Sequence, residues 1–179
     1  MSTTKGAGRL SRGFSMIEIL ITLVLVAFGL LGLVGFTTRA TAMGVEAVQR
    51  ARAATLLADM GNRIANNKNA ANAYVSAEVL GALAQDNCAG GATLAARDRC
   101  EWNNLLVGTS DAQTSGATSA LTFRGCITRP VVSDPVFVVT IAWAANVPGV
   151  PPADACASGV FGNDAFRRIL RTQVRVATL

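Results

Sequence analysis

The chain has 179 residues, about half of them hydrophobic (51%), a formal net charge of +5 and no histidine. Once a membrane-length apolar run is set aside, what remains suffices for one modest domain and excludes two. The lack of histidine excludes nucleophilic catalysis with a His base, and the positive charge is spread along the chain, so it points to no particular anionic partner.

Residues 1–13 are polar and basic, with Lys5, Arg9 and Arg12 and no acid, a pattern that holds this end on the cytoplasmic side of a membrane. Residues 14–36 follow as an apolar run; about 20 such residues at a helical rise of ~1.5 Å cross the ~30 Å hydrocarbon core of a bilayer. The run contains one acid near its front, Glu18. An ionised carboxylate there costs on the order of 3 kcal/mol, and a positive group at the same depth on a neighbouring chain offsets it most directly. Gly29, Gly32 and Gly35 interrupt the run, each costing ~1 kcal/mol of helix propensity relative to Ala. They serve either close helix packing in lipid or a soft segment. A rival reading makes residues 1–42 an ordinary secretory signal cut after Ala40-Thr41-Ala42. The acid within the apolar region and a run longer than the usual ~7–15 residues argue against it.

Gly13-Phe14-Ser15-Met16-Ile17-Glu18 with the apolar run resembles the class III leader of type IV prepilins and pseudopilins. The resemblance implies cleavage after Gly13 by a prepilin peptidase, N-methylation of the new terminus at Phe14, and filament assembly through the uncut helix. Glu18 is then expected to meet the Phe14 amino group of an adjacent subunit. Major subunits of the family usually carry a helix-breaking Pro near the position of Gly35; this chain has Gly there, which leaves local unwinding open.

From Thr37 to about Asn66 the helical pattern becomes amphipathic: Ala53, Leu57, Met60 and Ile64 share one face, as a helix lying under a soluble domain requires. A continuous helix from Phe14 to Asn66 reaches on the order of 80 Å. Asn66-Asn67-Lys68-Asn69 ends it with turn formers. A second, shorter helix is expected over Ser76–Gln85, capped by Ser76 with Val79, Leu80 and Leu83 on its apolar side. Residues 86–104 read as a Cys-bounded loop or short helix, and residues 108–119 as a polar surface linker.

Three strands follow. In the first, Leu121, Phe123 and Ile127 make the apolar face and Cys126 points the other way, toward a covering loop. The second, Val136–Ala144, is apolar on both faces, with Phe137, Val139, Ile141 and Trp143 assigned to the helix side. Pro148–Gly159 reads as a long exposed loop. The last strand, about Arg168–Thr178, places Leu170, Thr172, Val174 and Val176 inward and Ile169, Arg171, Gln173 and Arg175 outward. The expected fold is α+β: a long N-terminal helix packed against an antiparallel sheet of about three to four strands.

Cys88, Cys100, Cys126 and Cys156 all follow the apolar run. Their even number in an extracytoplasmic domain favours two disulfides over a metal site, since there is no Cys-x-x-Cys pair and no His. Three pairings are possible; local order favours Cys88 with Cys100 and Cys126 with Cys156. No metal, cofactor or catalytic residue is expected, because the acids Asp86, Asp98, Glu101, Asp134, Asp154 and Asp164 lie mostly in turn-like sequence. Arg124, Arg129, Arg167, Arg168, Arg171 and Arg175 read as a solvated strand face rather than a nucleic-acid groove, for want of interleaved aromatics.

Beyond the leader, Ala27-Phe28-Gly29-Leu30-Leu31-Gly32-Leu33, the Cys and Trp placement and the closing Phe166–Arg175 stretch are similar to the PilV group of minor pilins. The likeness implies a non-enzymatic minor pilin of a type IV pilus that primes assembly, sits in a tip complex and affects adhesion and twitching motility. Its implied partners are prepilin peptidase, other minor and major pilins, and the inner membrane before assembly; nucleic acid is not expected. Its expected organisation is a cleaved leader (1–13), a transmembrane and filament-core helix (14–36), an amphipathic continuation (37–66) and a periplasmic head (67–179). A minor pseudopilin of a type II secretion system and a membrane-anchored or secreted binding domain are the rivals.

Overall fold

The computed structural model describes residues 13–108 and 122–177. Its first helix, α1 (Met16–Asn66), opens where the Ser15 carbonyl accepts the amides of Glu18 at 3.0 Å and Ile19 at 3.3 Å. It passes through Gly29, Gly32 and Gly35 without a break and gives way after Asn66 to a short 3-10 turn, Lys68–Tyr74. The chain divides into two compact units between Met43 and Gly44.

In the first unit every described side chain is exposed. The helix is long and apolar enough to cross a membrane by length and composition. In the second unit α1 buries Ala53, Leu56, Leu57, Met60 and Ile64. The recurrence at three and four residues puts them on one stripe, and each large side chain removed from water contributes ~1.5–3 kcal/mol.

That stripe meets one face of a three-stranded antiparallel sheet in the order β1 (Arg124–Thr128), β2 (Val136–Ala144), β3 (Arg167–Arg175). Cys126 lies opposite Thr140, and Ile141 opposite Leu170. The long helix on this sheet is the α+β architecture expected. Phe123, Ile127, Phe137, Val139, Ile141 and Trp143 join the α1 stripe in one core, where the Phe123 and Trp143 rings sit 6.1 Å apart at a tilt of 58°. Leu121 lies outside the described residues.

Residues 76–85 are not helical. The Ser76 hydroxyl accepts the Glu78 amide in a local turn, and Leu80 exchanges both backbone hydrogen bonds with Gly125 at 2.9 Å, covering the β1 edge. Gly81, at φ +93°, then turns the chain, and the side chains of Asn103 and Asn104 take up the Gly81 and Gln85 amides. With its backbone groups thus engaged, the segment has no helical ladder to make. The second helix is α2, Leu94–Val107, started by the Thr93 side chain accepting the Ala96 amide and stopped by Gly108 at φ +83°.

Two further corrections concern the sheet's outer face. The loop after β2 is not wholly exposed: Cys156 and Ala157 are buried against Ala142. Ile169 accordingly packs beneath that loop instead of facing solvent, and Arg167, at the start of β3, is only 2% exposed.

Candidate assembly site

Gly13, Phe14 and Ser15 form a non-helical lead into α1, and Phe14 is 80% exposed. Among the described residues, a Cβ placed on Gly13 would meet nothing within 4 Å. Glu18 lies in the first turn of α1, where unpaired amides and the helix dipole favour a carboxylate by ~0.3–1 kcal/mol. That falls short of the ~3 kcal/mol cost of a charge in hydrocarbon. Arg12 and the residues before it lie outside the described residues.

The apolar surface that follows is left exposed by the described residues of its own unit. Ile17, Leu20, Val24, Leu31 and Phe36 are all more than half exposed. Its hydroxyls are internally satisfied: Thr22 donates to the Ile19 carbonyl at 2.8 Å, and Thr37 and Thr38 both donate to that of Val34 at 2.9 Å. This suits an environment with no water to bond. At Gly29, Gly32 and Gly35 a Cβ would also meet nothing within 4 Å. The unit itself therefore gives no steric reason for glycine there. Three-residue spacing keeps the glycines within about a third of the helix circumference, where a second helix can approach closely.

In the second unit the cysteines form two bonds, Cys88–Cys100 with Cα atoms 5.4 Å apart and Cys126–Cys156 with Cα atoms 5.9 Å apart. The first holds the chain before α2 against that helix; the second holds the loop after β2 to β1.

Two polar clusters in this unit were not visible as clusters in the sequence. Arg63 on α1 reaches Asp59 at 3.0 Å, Asp98 at 2.9 Å and Glu101 at 2.7 Å, joining α1 to α2. Burial alone would lower its pKa, but the Glu101 hydrogen bond, the Asp59 charge and the Asp98 hydrogen bond outweigh that and hold it above the ordinary arginine value. Tyr74 donates to the other Asp98 oxygen, and burial followed by that bond pushes its hydroxyl up to about 12. The available signal was the i,i+4 spacing of Asp59 and Arg63; the partners on α2 come from tertiary packing.

The second cluster is built on Arg167, whose guanidinium donates to the carbonyls of Asp154 (2.7 Å), Cys156 (3.0 Å) and Pro152 (3.1 Å) and to the Asp164 carboxylate (3.0 Å). Arg167 thereby fastens the loop to the sheet. Its neighbours are likewise engaged: Arg124 with the Gly81 carbonyl, Arg168 with the Val147 carbonyl, and Arg175 with Asp134. These arginines organise loops around the sheet.

Residues 8–34 match the prokaryotic N-terminal methylation motif. No curated protein and no solved structure matches the chain. The motif, continuing into an apolar helix and followed by helix on sheet, supports a type IV pilin-like or pseudopilin class, a structural rather than a catalytic role, processing by a prepilin peptidase and membrane anchoring through the helix.

Proposed function

We propose that the chain is a minor pilin of a type IV pilus, of the PilV group. Prepilin peptidase cuts between Gly13 and Phe14, removing residues 1–13, and the new Phe14 terminus is methylated. Residues 14–36 then hold the protein in the inner membrane with residues 67–179 as a periplasmic head on the 37–66 helix. Assembly into the extracellular pilus follows when Glu18 pairs with the Phe14 amino group of a neighbour and the apolar helix surface is buried in a bundle of other pilins.

One observation carries this reading: a methylation motif at residues 8–34 leads into an apolar helix surface that its own unit leaves exposed. A single charge in the first turn of such a surface gains most from an opposite charge on another helix. In this reading the protein primes assembly in a minor-pilin tip complex and so affects adhesion and twitching motility.

The deciding experiment is an intact-mass and N-terminal fragment measurement on the mature protein from its native host. A methylated Phe14 terminus is expected; a start at Met43 or at Met1 overturns the proposal. Because the motif is shared with pseudopilins, deletion of the gene is the companion test. Loss of twitching supports the pilus reading, and loss of protein secretion with twitching intact replaces it with a type II secretion pseudopilin.

A further inference from the structure

β3 is the last strand of the sheet among the described residues. The ladder bonds at its two ends, from the Ala145 amide to the Phe166 carbonyl and from the Val176 amide to the Pro135 carbonyl, set which backbone groups point where. Leu170, Thr172 and Val174 bond to β2, so the amides and carbonyls of Ile169, Arg171, Gln173 and Arg175 face the open edge. Among the described residues no backbone group pairs with them.

Beside that edge lies an open groove of about 570 Å³, floored by α1 and walled by residues 170–175 of β3. The helix contributes Leu57 and Asn62 together with Ala54, Ala58, Gly61 and Ala65, and the small side chains of the last four leave the room that a further strand's side chains would fill. Leu170, Thr172 and Val174 point toward α1 yet remain half-buried, because among the described residues no strand lies beyond them. Long unpaired edges are ordinarily blunted by proline, bulges or charge; β3 has no proline or strand break from Arg167 to Arg175, and its outward charges, Arg171 and Arg175, repel a basic strand while leaving an acidic one welcome.

We propose that this edge is a docking site for an extended segment of a partner protein, which adds a fourth strand beside β3. The recognition chemistry follows from the two sides of the groove. Alternate side chains of the incoming strand face the small residues of α1 and are apolar. The others lie over Arg171 and Arg175, both exposed, and are acidic. A second copy of this chain is a poor occupant, since pairing β3 with β3 sets arginines against arginines. The site lies wholly on the second unit and uses α1 only over residues 54–65, not the apolar run of the first unit, so it stands or falls apart from the pilin reading.

The test uses the full chain in detergent micelles and a short fluorescent peptide alternating valine with glutamate. Saturable binding is expected, at least ~10-fold weaker for the peptide with lysine in place of glutamate. Hydrogen exchange at the Ile169, Arg171 and Gln173 amides should be fast in the free chain and slowed by the peptide. Gln173→Pro removes one edge donor, Ala58→Leu fills the groove and Arg171→Glu reverses a charge. The first two should abolish binding and the third should weaken binding of the glutamate peptide, in protein whose thermal transition is unchanged. Equal binding of both peptides, no binding, or binding that survives Ala58→Leu overturns the proposal. So does protection of these amides in the free monomer, which assigns the edge to the chain itself, or in a dimer seen by sedimentation, which assigns it to a second copy. Binding of a single-stranded DNA oligonucleotide without binding of the peptide assigns the arginines to nucleic acid and overturns it as well.

Discussion

Trp102 and Gly125 are in contact so close that a Cβ placed on the glycine would lie 2.3 Å from the indole ring. The indole is fully buried and donates through Nε1 to the Leu56 carbonyl at 2.9 Å, so it is held from the α1 side as well. It has nowhere to retreat. Gly125→Ala is therefore expected to destabilise the fold by ~1–3 kcal/mol, read as a lower denaturant midpoint; an unchanged midpoint would show that the ring can shift.

Tyr74 is the chain's only tyrosine, so its ionisation can be followed directly by absorbance. A midpoint near about 12 is expected in the native protein, falling to ~10 in denaturant. Because the folded value is raised, the stability this group contributes is fully present below ~10 and is lost as the pH rises through about 12. Asp98→Asn should lower the native midpoint part of the way, since burial remains when the charged acceptor is gone. A native midpoint near ~10 would place the hydroxyl in water.

The two disulfides close loops of different length, 12 and 30 residues. In the chain-entropy account their removal costs ~2.8 and ~3.6 kcal/mol respectively. Paired Cys→Ser substitutions at Cys88 and Cys100 should thus be the milder of the two, and those at Cys126 and Cys156 the more severe. Guanidinium unfolding of both double variants under identical conditions would check the order, which a reversed ranking would refute.

Asp164 accepts from the Arg167 guanidinium first, then from the Gly159 amide and the Ser158 hydroxyl, and these hold its carboxyl well below the usual carboxylate range. In the unfolded chain it titrates at the ordinary ~3.9, so over the acid window the native state binds fewer protons and stability rises with pH. Its contribution is present above the ordinary value and lost as the pH falls toward the depressed one. Asp164→Asn should flatten the acid limb of a plot of urea midpoint against pH; an acid limb identical to wild type would remove Asp164 from the account.

Glu18→Ala should leave cleavage after Gly13 intact while abolishing co-purification with other pilins from detergent-solubilised membranes. Recovery of the complex at the wild-type level would defeat the pairing of Glu18 with a neighbour's Phe14. Gly13→Ser, in contrast, should accumulate an uncut precursor of lower gel mobility.

Periodicity made much of this fold legible. Ala53, Leu57, Met60 and Ile64 are buried where their spacing put them, and Val136–Ala144 reads as a strand because an apolar run after Pro135 carries its bulky residues Phe137, Val139, Ile141 and Trp143 at every second position. Residues 76–85 misled because Ser76 followed by apolar residues is a helix-start pattern. Their backbone groups are claimed by Gly125, Asn103 and Asn104, none of which is local. Ile169 and Arg167 misled for a related reason. A loop 10 to 20 residues upstream folds back over them, and two-residue alternation says nothing of what covers the outer face. Glu18 stands out locally because its signal is chemical, an acid set in an apolar run, whereas Gly13 and Phe14 are singled out by the likeness of residues 13–18 to a prepilin leader.

The outer face of the sheet is closed by little apolar matter: Cys156, Ala157 and Phe161 settle on Ala142 and Ile169. One covalent bond and one arginine do the rest. Thiols join only where the surroundings oxidise them, so in a reducing cytosol Arg167 and this small apolar contact hold the loop without the covalent tie. In the proposed reading, export would complete this face chemically, and the state of the Cys126–Cys156 bond would report whether a molecule had met oxidising surroundings.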